Sequence, residues 1–211
     1  MFKKILKISI FLILFLASSC GLKKSWEESG VYTIDKSLPS TYIWKKGKQY
    51  IAIVSTIPVE GRNKKNTIHP INISQDTISS SFSKINYTIL DKKKRQQSKP
   101  RPVFSDGNIE LLSKKIPEAL KKANKNQDVL FEVFQLRKKF WILPTTVDTT
   151  AGYLFIEPGK INVIFEKINE DYQGYDYDEQ RKVIGDSSQG IYGGKRKIAK
   201  GWIVLTSKSW K

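Results

Sequence analysis

Covalent and metal chemistry need nucleophiles and soft ligands, and this chain offers few: one cysteine, Cys20, and one histidine, His69, in 211 residues. A Ser-His-Asp arrangement would have to be built on His69. That residue stands in "NTIHPIN" before a proline, and no nucleophile motif accompanies it. A lone histidine without a thiol partner makes no typical zinc site. His69 therefore reads as a loop or strand-end residue that hydrogen-bonds backbone ahead of a helix starting at Ser74. Carboxylates are the remaining candidates. Asp171, Asp176, Asp178 and Glu179 crowd into "DYQGYDYDEQ", but the sixth position from Asp176 is Arg181, where a calcium loop needs glycine. They read as an acidic flap pairing with basic surface. Carboxylate-dependent hydrolysis of cell-wall or lipid material by the Asp171–Asp186 stretch is the alternative. "GGK" at Gly193 lacks the spaced glycine and the Ser/Thr after lysine that a phosphate loop requires.

Cys20 has a different context. Lys3, Lys4 and Lys7 precede an apolar run from Ile8 to Ala17, and the small residues Ala17, Ser18 and Ser19 lead into the cysteine. This is the order of a bacterial secretory signal: basic start, apolar core, small-residue cleavage site. A core of about ten residues is too short to span a bilayer, which takes roughly 20. "ASSC" resembles a lipobox, the recognition site of bacterial lipoproteins. The family usually places Leu three residues before the cysteine, whereas here Ala17 takes that place and Leu16 precedes it. The resemblance implies cleavage before Cys20, a thioether from its sulfur to diacylglycerol, and acylation of the freed amine. Ordinary signal peptidase could cut the same bond, since Ala17 and Ser19 are both small. By the same resemblance Gly21, which is not the Asp of inner-membrane retention, implies an outer-membrane lipid anchor facing the periplasm. Farther on, "HPINIS", "PVFSDGNIELLSKKIPEALKKA" and "QDVLFEV" are similar to envelope lipoproteins of Gram-negative bacteria that carry no assigned activity.

Charge points the same way. Net charge is +17, and removing Lys3, Lys4 and Lys7 leaves 34 bases against 20 acids, or +14. Such an excess suits a polyanion or an anionic membrane. Export argues against nucleic acid and leaves anionic lipid, lipopolysaccharide, peptidoglycan or an acidic envelope protein as partners. Two clusters are the candidate contacts: Lys92, Lys93, Lys94, Arg95, Lys99 and Arg101, then Lys195, Arg196, Lys197 and Lys200. The second lies in an acid-free tail with Trp202 and Trp210, of which Trp202 reads as core. With Cys20 consumed by lipid, no thiol remains for catalysis or a disulfide, and no cofactor is expected. The expectation is a non-enzymatic accessory or binding protein.

The remaining pattern divides into a removed signal (1–19), a lipidated cysteine with a polar tether (20–30) and one domain (31–211). "KQYIAIVSTI" reads as a strand ending at Pro58. Ser74 reads as an N-cap, with Ile73 and Ile78 as a hydrophobic staple and Ile78, Phe82 and Ile85 on one helix face. "NYTIL" returns as a strand. Asp91–Pro102, with six bases and two prolines, reads as an exposed loop. Ser105 starts a helix along Ile109, Leu112, Ile116, Leu120 and Ala123, which Pro117 is expected to kink or split. "DVLFEVFQL" predicts a central strand. "AGYLFIE" and "KINVIFEKI" predict a hairpin about Pro158-Gly159. Asp171–Gly194 reads as a long surface loop, and "KGWIVLTS" as the last strand. Together these predict an α+β fold, a single domain with two or three helices packed on a mostly antiparallel sheet.

Overall fold

A computed structural model describes residues 41–91, 96–137, 146–171, 189–197, 199 and 201–206. The chain is α+β and mostly sheet. Strands β1 (Thr41–Lys46), β2 (Gln49–Ser55), β6 (Gln127–Arg137), β7 (Thr146–Glu157), β8 (Lys160–Asp171), β11 (Trp202–Thr206) and β10 (Lys195–Arg196) form one antiparallel sheet in that spatial order. A smaller sheet is centred on β3 (Asn86–Asp91). It is flanked on one edge by β4 (Gln96–Gln97) and β5 (Arg101–Pro102), and on the other by β9 (Gln189–Tyr192). Helices α1 (Gln75–Phe82) and α2 (Asp106–Lys122) and a short 3-10 helix at Lys64–Asn66 complete the described elements.

Local chemistry sets the boundaries. The Ser74 hydroxyl accepts the Thr77 N–H at 3.1 Å and the Ser105 hydroxyl accepts the Asn108 N–H at 3.3 Å, so each helix begins at its predicted cap. The β7–β8 hairpin turns on Pro158-Gly159, with Gly159 at φ +65°, a left-handed conformation glycine adopts without steric cost. Inward positions alternate along the large sheet: Ile51 and Ile53, Val129, Phe131 and Val133, Leu154 and Ile156, Ile161, Val163 and Phe165, Ile203 and Leu205. They pack against Ile78 and Phe82 of α1, the Leu112–Leu120 face of α2, and Tyr87 and Ile191 of the small sheet. At the centre Phe82 stacks on Phe104 at 5.1 Å, and Phe131 and Phe165 each lie within 6.5 Å of a neighbouring ring. Such pairs add about 0.5–1.5 kcal/mol each beyond their buried area. The other face of the sheet is buried too, through Ala52, Leu130, Tyr153, Phe155, Ile164 and Trp202. Burial on both faces explains why these strands read as nearly continuous apolar runs.

Three expectations are corrected. Pro117 does not split its helix: α2 runs unbroken across it, with Pro117 buried against the core. The ring costs one backbone hydrogen bond, and the buried face of α2 on both sides of it outweighs that loss. Asp91–Pro102 is not simply a loop, because β4 and β5 return along β3. The Thr88 hydroxyl donates to the Gln97 side-chain oxygen, and Ser98 N–H donates to Ile89 O at 2.8 Å. Nor is Asp171–Gly194 wholly a surface loop: Asp171 ends β8, and Gln189–Tyr192 is a strand on β3. Residues 172–188, with Asp176, Asp178 and Glu179, lie outside the described residues. Two strands, β1 and β10, have no counterpart among the sequence expectations.

Candidate functional site

Of the predicted contacts, Lys99, Arg101, Lys195, Arg196 and Lys197 are exposed. Cys20, Lys92, Lys93, Lys94, Arg95, Lys200 and Trp210 fall outside the described residues. Arg101 is on β5 at one edge of the small sheet, and Lys195 and Arg196 form β10 at one edge of the large sheet. Both β3 and β9 separate them. Trp202 is core, as predicted: it is buried, its indole N–H donates to Asn162 Oδ1 at 3.0 Å, and it meets Phe155 edge-on at 5.7 Å.

The polar residues with the most constrained geometry were not predicted together. Arg62, in the loop after β2, grips Asp128 at the start of β6 through two parallel bonds, Nη1–Oδ2 at 2.6 Å and Nη2–Oδ1 at 2.7 Å. Both side chains are almost wholly inaccessible, 1% and 0% exposed. Asp128 Oδ2 also accepts the Ile57 N–H at 3.2 Å, and Arg62 Nη2 donates to the Thr67 hydroxyl at 3.3 Å. The guanidinium carbon lies over Phe155, 3.6 Å from its ring centre. With both carboxylate oxygens engaged and no route to solvent, Asp128 is a clamp rather than a base. It ties the 57–67 segment to the sheet.

His69 sits beside this pair and works as a spacer between strands. Continuing the β6–β7 register, in which Val129 faces Leu154, would place Gln127 opposite Ile156. The imidazole stands between them: Nδ1–H donates to Gln127 O at 2.9 Å, and Nε2 accepts the Ile156 N–H at 3.1 Å. Ile68 N–H donates to Ile156 O at 3.0 Å. Two bonds that β6 would have supplied are thus made by residues 68 and 69. The structural role predicted for His69 holds, and the ring must be the neutral Nδ1–H tautomer, because imidazolium has no lone pair for Ile156. Burial pushes the His69 pKa below its usual value; the backbone bond to Gln127 and the Asp128 charge oppose this, and the Arg62 charge adds to it.

A pH dependence follows with a definite sign. A folded-state pKa depressed below the unfolded value near 6.5 means the unfolded chain binds the proton first. Stability from His69 is therefore complete above about pH 6.5 and is lost as pH falls from there toward the folded-state value. The slope is at most about 1.4 kcal/mol per pH unit. Denaturant melts between about pH 7.5 and pH 5 should show this loss in the wild type. His69→Gln, which carries no titrating ring, should flatten it even if it lowers stability overall.

Between α1 and α2 lies an open groove of about 420 Å³, lined by Asp76, Ser79, Ser83, Asp106, Glu110 and Lys114 among others. Its carboxylates already have work: Asp76 and Asp106 stand in the first turns of their helices, where the helix dipole favours them, and Glu110 pairs with Lys114 at 2.6 Å. Among the described residues no three His, Cys, Asp or Glu side chains gather closely enough to hold a metal ion, and no helix is long and apolar enough to cross a membrane. No family model, curated protein or solved structure matches the chain. Among the described residues, Arg101, Lys195 and Arg196 are cations left exposed on two sheet edges.

Proposed function

We propose that this is a lipid-anchored cell-envelope protein with a non-enzymatic accessory or binding role, serving a protein complex or an anionic envelope polymer. In this reading residues 1–19 are a signal peptide, and Cys20 carries the lipid. Residues 20–30 tether a single domain, 31–211, to the outer membrane on its periplasmic side. The observation that carries the reading is the Lys3-to-Cys20 pattern, an apolar signal core running directly into the chain's one cysteine. Two or three acyl chains make a durable anchor, since each buried methylene contributes about 0.8 kcal/mol and one chain alone binds only marginally. Exposed lysines and arginines on two sheet edges supply a means of meeting an anionic partner.

Metabolic labelling with palmitate tests it. Label should enter the wild-type protein and be lost in Cys20→Ser, and crosslinking in intact cells should recover a stoichiometric envelope partner with the wild type. Label that never enters, or that persists in Cys20→Ser, ends the anchor reading. Turnover of purified wall fragments, abolished by Asp176→Ala or Asp178→Ala, would end the non-enzymatic one.

A further inference from the structure

We infer that His69 is the wedge of an acid-triggered strand exchange. Once its ring takes a proton on Nε2, the 63–69 segment leaves the sheet, and β6 and β7 pair directly through Gln127 and Ile156. Two hydrogen-bond arrangements compete for the same backbone groups. In the one observed, Gln127 O accepts His69 Nδ1–H at 2.9 Å and His69 Nε2 accepts Ile156 N–H at 3.1 Å. Ile156 O accepts Ile68 N–H at 3.0 Å, and Gln127 N–H is turned to Asn124 O, also at 3.0 Å. In the other, Gln127 and Ile156 serve each other. The β6–β7 register brings these two residues opposite. Each strand is already held at that level by its outer neighbour, Gln127 by Ser55 and Ile156 by Ile161. Asn124 is exposed, so its carbonyl would be left to water. Either arrangement gives every one of these strand groups a partner, as two states close in free energy require.

Only the observed arrangement depends on a proton. Protonated on Nε2, the ring has no acceptor left and sets a donor against the Ile156 N–H, so both buried donors go without a partner. The charged groups around it are Asp128 on β6, Arg62 in the loop after β2, and Glu157 beside Ile156 on β7, with Lys160 opposite. Asp128 favours the imidazolium by its charge, but both its oxygens are engaged by Arg62, which opposes it. Burial is the largest influence and keeps the ring neutral until the pH is below its usual value near 6.5. The segment is tied unevenly. Residues 57–62 stay pinned to Asp128 through Ile57 N–H and Arg62, and Ile71 N–H donates to Leu120 O at 3.1 Å. Between these pins, among the described residues, the hydrogen bonds of 63–69 to the sheet are those of Ile68 and His69. Asn63, Lys64, Lys65, Asn66 and Ile68 are already exposed, so bowing out wets little new apolar surface. A stretch held in its middle by one proton-sensitive ring can therefore open while the rest stays folded.

His69 is the chain's one histidine, so its ring nitrogens can be followed by NMR without ambiguity in the full-length protein, purified in micelles without a histidine tag. The ring shifts give the titration of His69. Amide hydrogen exchange, corrected for its intrinsic dependence on pH, gives the opening. As His69 titrates, Ile68 N–H should exchange faster by about tenfold or more, while Ile156 N–H stays protected. A scalar coupling across the new hydrogen bond should appear between Ile156 N and the Gln127 carbonyl carbon. His69→Gln should lose the pH dependence of Ile68 exchange. Opening of Ile68 and Ile156 together, with no coupling to Gln127, would mean that the sheet end frays and would overturn the exchange. Opening at a pH apart from the His69 titration, or opening that persists with pH in His69→Gln, would overturn His69 as its trigger. A ring that stays neutral until the whole protein unfolds, or one that titrates without any change at Ile68, would overturn the inference outright. If His69→Gln does not fold, the wild-type titration and the Gln127 coupling decide it alone.

Discussion

Asp128→Ala is expected to lower the unfolding free energy by about 3–5 kcal/mol, measured from denaturant melts at neutral pH. The size comes from what the substitution leaves behind. The Arg62 guanidinium would remain inside the protein, over Phe155, with its two strongest acceptors gone and its Nε already without one. Ile57 N–H would lose its acceptor as well. Domains of this size are typically stable by only about 5–15 kcal/mol, so the loss is a large fraction of the whole. A second variant shows that the cost lies in the unpaired charge rather than in the contact itself. Arg62→Met with Asp128→Leu removes both charges and keeps apolar volume near Phe155. It should regain more than half of the loss, because an apolar pair of similar size avoids the desolvation that a buried ion pair carries. If the double variant is no more stable than Asp128→Ala, the clamp does more than satisfy its own charges.

That clamp also marks where sequence reasoning ran short. Arg62 and Asp128 stand 66 positions apart, one in "VEGRNKKN" and one before an apolar run, and each looks like an ordinary solvated charge. Only the folded geometry pairs them. The parts that were legible depend on local chemistry. Ser74 and Ser105 cap helices through bonds to residues three positions on, and Pro158-Gly159 turns a hairpin within four residues. The parts that were not legible have composition working against them. Gln96-Gln97, Arg101-Pro102 and Lys195-Arg196 are two-residue pairings with no apolar alternation, so their strand character comes from the neighbour they lie along. Pro117 misled in the same way, since the rule that proline breaks helices omits the tertiary packing of α2. For His69 the structural role was foreseen, but its insertion between Gln127 and Ile156 depends on where β6 and β7 stop pairing. The candidate surface was visible only as charge. The position of Arg101 across the small sheet from Ile191 follows from the β3 register, which no periodicity in "NYTILD" discloses.

Gly193→Ala should be the most damaging of the single-methyl additions, lowering the unfolding free energy by about 2–6 kcal/mol. Gly193 has φ +105°, a conformation that costs an L-residue about 1–3 kcal/mol. A Cβ there would also stand 2.2 Å from Lys84 O and 2.7 Å from its carbonyl carbon, and these are backbone atoms that cannot rotate aside. Forcing them apart adds about 1–3 kcal/mol. The tightness follows from topology. At Gly193-Gly194 the chain leaves the small sheet, where Tyr192 pairs with Asn86, and joins the large sheet, where Lys195 pairs with Val204. To do so it passes close to the Lys84 carbonyl at Gly193 and to the Val204 carbonyl at Gly194, where a Cβ would stand at 2.7 Å. Gly159→Ala is the control. It also has positive φ, at +65°, but nothing lies within 4 Å of the added carbon, so its cost should stay near 1–2 kcal/mol. Thermal melts of the two variants should therefore differ by several degrees, at roughly 2–4 °C per kcal/mol for a chain of this size. Equal melting temperatures would mean that the crossover relaxes away from Lys84. Because β9 would move with it, the same result would predict faster amide hydrogen exchange along residues 189–192 in Gly193→Ala.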